Sequence, residues 1–428
     1  MLIFFLFIIE GIICFIIKDS IVDHEVVSLI IVLINSLIVI FYLSMRIKEK
    51  GYYILITIGY ILRLIVLFLD IYGRGYFYIP HSGSDTEGFF AQGILISNDL
   101  SLFDKTNMGA YANLLGLFFY LFGDQRILAQ YLNTLLGLGI IVIVYRILQQ
   151  IEIENRTKKM VLCIIIFFPQ AIIFSGILLR ENLVSFGLIM MTYYLIKWYK
   201  KRGNGNIVFS ILFFGIAVYF HSGVVVGFIP LAFMYTFYRH EHNSFKIDLR
   251  SILMLCLFIF VGVFLSVKYG DVIFNKFGNT DITSDDFYKG MSSDVDAGSR
   301  YLNGLTYNSF YDILLYSPLK MFYFLFSPIP LNWRGFMDII TFLLDSCVYL
   351  VISVNLYKYR KLLRTDKPLF IILIFLLLLI VFTFAFGTVA AGTAVRHRNK
   401  IMAVLLVTWA IVIDRKLKNK AETKIQTI

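Results

Sequence analysis

Charge is scarce in this 428-residue chain: Asp, Glu, Lys and Arg make up 16% of it, against about 25% in a typical soluble domain. Hydrophobic residues make up 59% and aromatics 17%. Those proportions exclude an ordinary soluble globular protein. Cysteine is sparse as well. All four (Cys14, Cys163, Cys256 and Cys347) fall in apolar segments, and none has C-x-x-C spacing. No disulfide framework or cysteine metal site is implied. A Walker-type phosphate loop, a G-x-G-x-x-G after a strand, H-E-x-x-H and G-x-S-x-G are all missing, which removes the usual soluble nucleotide-dependent chemistries. Met1–Phe7 has neither a basic n-region nor a small-residue cleavage site. The first apolar run is therefore expected to stay as a span and not to be cleaved.

What is present in quantity is apolar runs near 20 residues, the length a helix needs to cross a bilayer. Twelve read as spans: 3–17, 26–45, 53–69, 127–147, 160–176, 182–198, 207–219, 222–238, 252–268, 336–357, 368–387 and 400–414. The expected fold is all-α, a polytopic transmembrane bundle of about 12 spans with long extracytoplasmic loops and juxtamembrane helices. It divides into two extra spans (1–52), a core (53–250) and a C-terminal set of spans (251–428).

The formal charge of +11 does not read as a nucleic-acid surface. Lys and Arg cluster in short loops between spans and in the tail, the positive-inside pattern. The clusters lie at 46–50, 156–159, 197–202, 239–250, 358–367 and 415–424. All six can be cytoplasmic, with both termini, only if the stretches 110–122 and 309–327 do not cross. These two are expected to be juxtamembrane or re-entrant, ended by Gly123 and by Ser327-Pro328-Ile329-Pro330. Two long outer segments remain, 70–108 and 269–308, the second rich in Asp. Loops of that length usually have a function.

Asp85 and Glu87 stand in the polar stretch Pro80–Gln92 of the first outer loop. A carboxylate there can deprotonate a hydroxyl acceptor. The alternative is structural: Ser84 or Asp85 caps a helix beginning near Thr86, with Glu87 in its first turn. Arg63 lies in mid-span, and Arg180 and Glu181 open a later one. Ionisable residues at such depth are costly and mark sites. Arg396, His397, Arg398 and Lys400 precede the last span on the side where cations are disfavoured. Binding a phosphate or diphosphate is the simplest reason for them; an interfacial snorkelling belt is the other. His81 and His221 face the same outer side. No cofactor is implied, and nothing singles out a divalent metal.

The order of these features resembles the C-type (GT-C) membrane glycosyltransferases, in particular the protein-mannosyltransferase and aminoarabinose-transferase-like branch. Ser84-Asp85-Thr86-Glu87 takes the place of that family's acidic motif. Tyr111–Gly123, Tyr131, Asn133, Gly137 and Tyr145 match its next stretch. Phe168-Pro169, Ser175, Leu178 and Glu181 match its "FP….S..L..E" segment, and Arg396 and Arg398 its late "R.R". The resemblance covers roughly 53–198 and 394–414. It implies a polyprenyl-phosphate- or diphosphate-linked sugar donor, a glycan acceptor, inverting transfer on the outer face of a bacterial plasma membrane, and Asp85 as base with Glu87 as its partner. Two departures, Asp-x-Glu for adjacent Asp-Glu and the two extra spans, also fit a second family. These are the repeat-unit polymerases of capsule, O-antigen or exopolysaccharide, whose functional residues are mostly arginines. A lipid-linked-glycan transporter is a third reading, against which stands the lack of an inverted repeat.

Overall fold

A computed structural model describes residues 24–105, 108–274, 299–302, 304–363 and 366–426. The expected first span and most of the outer segment 269–308 lie outside those residues. The described chain is all-α apart from one small hairpin, Tyr238–Arg239 against Ser244–Phe245. Five of its helices are long and apolar enough to cross a membrane, or six if one bent pair counts as a single span. Their outer surfaces match that solvent. Leu37 and Phe41 on the first described helix are 69% and 66% exposed, and Val351 on a later one is 55% exposed. Contiguous apolar surface of this kind is normally covered.

The chain forms two compact units, Met1–Ile147 with Lys158–Met190, and Leu148–Thr157 with Met191–Ile428. Unit 1 contains α1 (His24–Arg46), α2 (Lys50–Tyr72), α3 (Ser84–Asn98), α4 (Ala110–Phe122), most of α5 (Arg126–Gln150) and α6 (Asn155–Phe167), α7 (Pro169–Gly176) and the first half of α8 (Glu181–Lys201). The stretch 110–122, expected not to cross, is the 13-residue helix α4. It packs on α3 through Phe90–Phe119 and Phe89–Tyr111, both edge to face. Gly123 ends it at φ 77°, the left-handed region glycine enters without penalty.

The span expected at 160–176 is broken. α6 and α7 meet at 50° across Phe168. Pro169 explains the bend. In an uninterrupted helix the Ile165 carbonyl would accept from the N–H of residue 169, and proline has none. Arg63 of α2 supplies the missing donor. Its Nη2 reaches the Ile165 oxygen at 3.2 Å, and its Nη1 the Gly59 oxygen at 2.8 Å.

Unit 2 contains α9 (Asn204–Phe220), α10 (Phe228–Phe237), α11 (Leu249–Phe274), α12 (Phe310–Phe326), α13 (Phe336–Thr341), α14 (Cys347–Tyr359), α15 (Lys367–Phe386) and α16 (Ala391–Gln426). A turn of π-helix, Phe342–Ser346, joins α13 to α14. α15 is buried along most of its length, with Leu373, Leu376, Ile380 and Phe384 all at or below 2% exposure. α16 starts earlier than the sequence suggested, at Ala391. The Arg396–Lys400 cluster is therefore part of this helix and not a loop ahead of it.

Candidate functional site

One end of unit 1 holds a closed circuit of polar side chains. Arg74, just beyond α2, donates from Nη2 to the Asp70 carboxylate at 3.0 Å and from Nη1 to Glu87 Oε1 at 2.5 Å. Arg126, opening α5, holds both Glu87 oxygens at 2.8 Å. Its Nε donates to Gln130 Oε1 at 3.2 Å, and Gln130 Nε2 returns to Asp70 at 2.6 Å. The ring Arg74–Glu87–Arg126–Gln130–Asp70 joins α2, α3 and α5. Asp70 is 1% exposed, and its Oδ1 accepts no hydrogen bond among the described residues. Gly83 N–H donates to Thr86 Oγ1 at 3.0 Å, fixing the first turn of α3.

Beside the circuit the backbone is unwound between α7 and α8. The carbonyls freed there are met by a ladder of side chains on α5. Gln130 donates to the Gly176 oxygen at 2.9 Å and Thr134 to the Ser175 oxygen at 3.0 Å. Asn133 donates to the Ile177 and Leu179 oxygens at 2.7 and 2.8 Å. Positions 130, 133 and 134 share one helix face, so a single stripe of α5 serves the whole break. Asn182 closes it by donating to the Asn133 carbonyl at 3.1 Å and to Ser175 Oγ at 3.0 Å. Irregular backbone at this depth is tolerated where protein satisfies it.

The structure gathers most of the expected residues of this region at that end. Asp85 and Glu87 both lie in the first turn of α3, which begins two residues before the expected Thr86. Arg180 places its guanidinium 5.9 Å from the Phe89 ring, and Phe89 packs on Tyr111. Glu181 is fully buried at the start of α8, where the helix dipole favours a carboxylate. His81 packs against Phe174, with ring centroids 5.1 Å apart and the planes tilted by 48°.

Arg63, expected as a substrate ligand, is 1% exposed, and its Nη1 and Nη2 serve backbone carbonyls at the α6–α7 bend. Glu87 is not suited to be a base. Partial burial pushes its carboxyl up, but hydrogen bonds from Arg126 and Arg74 outweigh that and bring its pKa from 4.5 down to about 2. It is a positioning residue that pins two arginines. Sequence reading missed Asp70, Arg74, Arg126 and Gln130, and named Asn133 only within the family-like stretch, with no role. The one signal for Asp70 was a carboxylate at the end of an apolar run.

The Glu87 shift fixes a pH dependence. A carboxyl depressed in the folded state adds stability above its unfolded pKa and loses it as pH falls toward the folded value. The side chain is about half exposed, so screening limits the gain to about 1 kcal/mol. The melting difference between the natural chain and Glu87→Gln should be constant from pH 8 to 5 and close between about 4.5 and 2. A difference that persists at pH 2 would show that the clamp is not ionic.

Unit 2 brings together His221, His397 and Lys400 around Phe384. The two imidazoles are 5.0 Å apart, centroid to centroid, and each packs on the Phe384 ring. Lys400 is fully buried with its ammonium 5.4 Å from that ring. Thr388 Oγ1 lies 3.3 Å from His397 Nδ1. Arg396 is partly exposed on α16.

Arg398, expected as an anion ligand, is held by groups of the protein itself. It is fully buried and its Nε donates to Asp345 at 2.8 Å, with Nη2 on the same carboxylate oxygen. Its Nη1 donates to the Phe324 and Leu325 oxygens at 3.1 Å. The Phe324 carbonyl lacks its helical donor because Pro328 stands four residues on. Arg398 thus does in unit 2 what Arg63 does in unit 1. The π-turn aims Asp345 at it, a common use of such turns.

Lys320 of α12, not singled out in the sequence, is 4% exposed and lies over the Tyr307 and Phe386 rings. Among the described residues no three His, Cys, Asp or Glu side chains come close enough to hold a metal ion. Comparison with protein-family models, curated proteins and solved structures gave no match.

Proposed function

We propose that the chain is a polytopic membrane glycosyltransferase. It moves a sugar from a polyprenyl-phosphate-linked donor to a cell-surface glycan or lipid-linked acceptor. The reaction takes place on the extracytoplasmic face of a bacterial plasma membrane, in a bundle of about twelve spans with both termini cytoplasmic. One observation carries this reading. Arg74, Arg126 and Arg180 gather with Asp85 at one end of a unit built from apolar helices, next to unwound backbone. That pairing suits a hydroxyl acceptor and a phosphate leaving group.

Asp85 takes the proton from the acceptor hydroxyl. The hydroxyl oxygen bonds to the anomeric carbon as the bond from that carbon to the phosphate oxygen breaks, inverting the centre. Guanidinium groups already oriented by Glu87 stabilise the charge that collects on the departing phosphate. Each guanidinium has five N–H donors, and Arg126 has some left after serving Glu87 and Gln130.

The test is sugar transfer from a polyprenyl-phosphate donor by the purified chain. Asp85→Asn should lower kcat by about 10²–10⁴-fold, the usual worth of a positioned base. Glu87→Gln should cost about tenfold, through slack arginines. Full activity in Asp85→Asn would remove the base assignment. The number of arginines at the site also favours a second reading, a repeat-unit polymerase using two polyprenyl-diphosphate glycans. Products longer than one added unit would select it.

A further inference from the structure

We infer that an open cavity at the basic end of unit 2 is a seat for the head group of an anionic membrane lipid, a phosphodiester that also carries free hydroxyls. The inference goes beyond sugar transfer and does not rest on it. The cavity measures about 360 Å³, at the low end of the range of about 300–1,000 Å³ in which small-ligand sites fall. Three stretches far apart in the chain meet around it. They are Lys200 and Arg202 at the end of α8, His240 and Asn243 in the hairpin turn, and Asp366 ahead of α15.

The walls are fixed by the protein's own contacts. Tyr199 and Tyr238 both donate to Asn243 Oδ1 at 3.0 Å, which ties the end of α8 to the hairpin. Asn243 has φ 45°, a left-handed turn position that asparagine tolerates. His240 packs edge to face on Trp198 and on Tyr238, with ring centroids 4.7 and 4.9 Å apart.

Arg202 is the lining residue the fold explains least. It follows the last turn of α8, where its N–H donates to the Trp198 oxygen at 2.9 Å, and its φ is 59°. That left-handed position after a helix is the usual place of glycine, because a Cβ strains it. Here glycine comes one residue later, as Gly203. The arginine at the strained position lines the cavity, and its guanidinium makes no ion pair and no hydrogen bond among the described residues.

The acids bordering the cavity already hold lysines. Lys200 Nζ lies 3.2 Å from Asp366. Asp366 also borders a second cavity of about 60 Å³, shared with Asp414, Arg415 and Lys418 of α16, where Lys418 holds Asp414 at 2.7 Å. Arg364 and Thr365, which precede Asp366 outside the described residues, carry no negative charge. The Asp-rich segment is reached only at the far end of α11, about 39 Å of helix beyond Leu249.

Depth decides the class of anion. α15 opens directly after Asp366 and is apolar and long enough to cross a membrane. Trp198, Tyr199 and Tyr238 are the residue types that collect at head-group level. Ile247 and Leu249, just past the hairpin, are 80% and 72% exposed, an apolar surface for acyl chains. The basic loops that meet here are those expected on the cytoplasmic side, where basic pockets between helices bind anionic lipid heads. A guanidinium fork matches the two free oxygens of a phosphodiester. The Asp366 carboxylate accepts from a hydroxyl, so a glycerol head is favoured over choline, which has no donor.

The experiment uses the full chain, delipidated in maltoside detergent. Dioctanoyl phosphatidylglycerol, dioctanoyl phosphatidylcholine and glycerol phosphate are the probes, in calorimetric titrations and melting curves. The natural chain should bind the glycerol lipid about tenfold more tightly than the choline lipid, one charge-assisted contact apart. It should bind glycerol phosphate more weakly still, for want of acyl chains. Arg202→Gly should weaken the glycerol lipid by about tenfold. Without lipid the same variant should melt no lower than the natural chain, since glycine accepts the left-handed position. Lys201→Gln removes an equal charge one residue away, outside the cavity, and should leave affinity within about twofold.

Unchanged binding in Arg202→Gly would overturn the seat. So would a lipid-free Arg202→Gly chain that melts lower or fails to fold, which would show its guanidinium engaged within the protein. Equal losses in Arg202→Gly and Lys201→Gln would replace the seat with diffuse surface charge. Glycerol phosphate bound as tightly as the lipid would give the cavity to a soluble phosphate, and equal affinity for the choline lipid would remove the anion; either result overturns the assignment.

Discussion

Replacing Asp345 with alanine should cost roughly 3–5 kcal/mol of folded-state stability, the usual penalty for leaving a buried charge unpaired. The charge left behind is Arg398, fully buried in unit 2. Arg398→Met should cost a similar amount, by stranding Asp345 and uncovering the Phe324 and Leu325 carbonyls. The double variant should recover much of the loss, since a buried ion pair is often worth little against apolar residues of similar volume. Arg398→Lys should not rescue. One ammonium cannot reach Asp345, Ser346 and two carbonyls together. Thermal unfolding of the detergent-solubilised chain, followed by far-ultraviolet circular dichroism, reads all four. A single Asp345→Ala that melts like the natural chain would refute the pairing. So would an Arg398→Met variant with unchanged stability and weakened substrate binding, which would return Arg398 to the role of anion ligand.

Asn133→Leu should be the next most damaging change, at about 2–4 kcal/mol. One amide serves two carbonyls in the unwound stretch, Ile177 and Leu179, whose side chains are fully buried. Hydrogen bonds between membrane helices average only about 0.6 kcal/mol in mutational cycles, because the unfolded reference also finds partners. The Ile177 oxygen also accepts from the Leu179 N–H at 3.0 Å, but leaving buried acceptors short of a donor costs roughly 1–3 kcal/mol each. Thr134→Val removes a single bond to the Ser175 oxygen and should cost about 1 kcal/mol. Equal losses for the two variants, measured by the same melting experiment, would show that the ladder does not hold the break.

The helices themselves were legible because each is an apolar run with polar ends. His24–Arg46 contains the expected 26–45, and Arg126–Gln150 contains 127–147. Less legible was where such a run breaks. Pro169 makes the bend, but 160–176 read as one span, and only the fold shows which residue repairs the break. Arg63 illustrates the limit. Its depth signalled a high cost, and in the structure its Nη groups donate to backbone carbonyls. The same proline-plus-arginine logic applies to Pro328 and Arg398, whose partners are far apart in the chain. It could be sought in other sequences as a buried arginine with a proline that orphans a carbonyl.

The acidic stretch did not show which of its two carboxylates the arginines take. Glu87 is absorbed by Arg74 and Arg126, and these two arginines looked like ordinary loop residues in the sequence. Their selection of Glu87 over Asp85 is a matter of which face of α3 each residue occupies, and spacing alone cannot show that. Lys320 was visible in principle, since a lysine inside an apolar helix obeys the same depth rule as Arg63.

The circuit in unit 1 contains two guanidinium groups and two carboxylates, with an amide between them. Its formal charges cancel, so beyond a few ångströms it projects little field. A substrate diffusing in the plane of the bilayer would feel almost no long-range pull from these residues. Capture would depend on contact and on the polyprenyl tail finding its way between helices, and its rate should respond weakly to ionic strength. A site that recognises a charged group through side chains already neutralised by one another selects at touching distance. Selection at that distance suits a surface crowded with other anionic head groups.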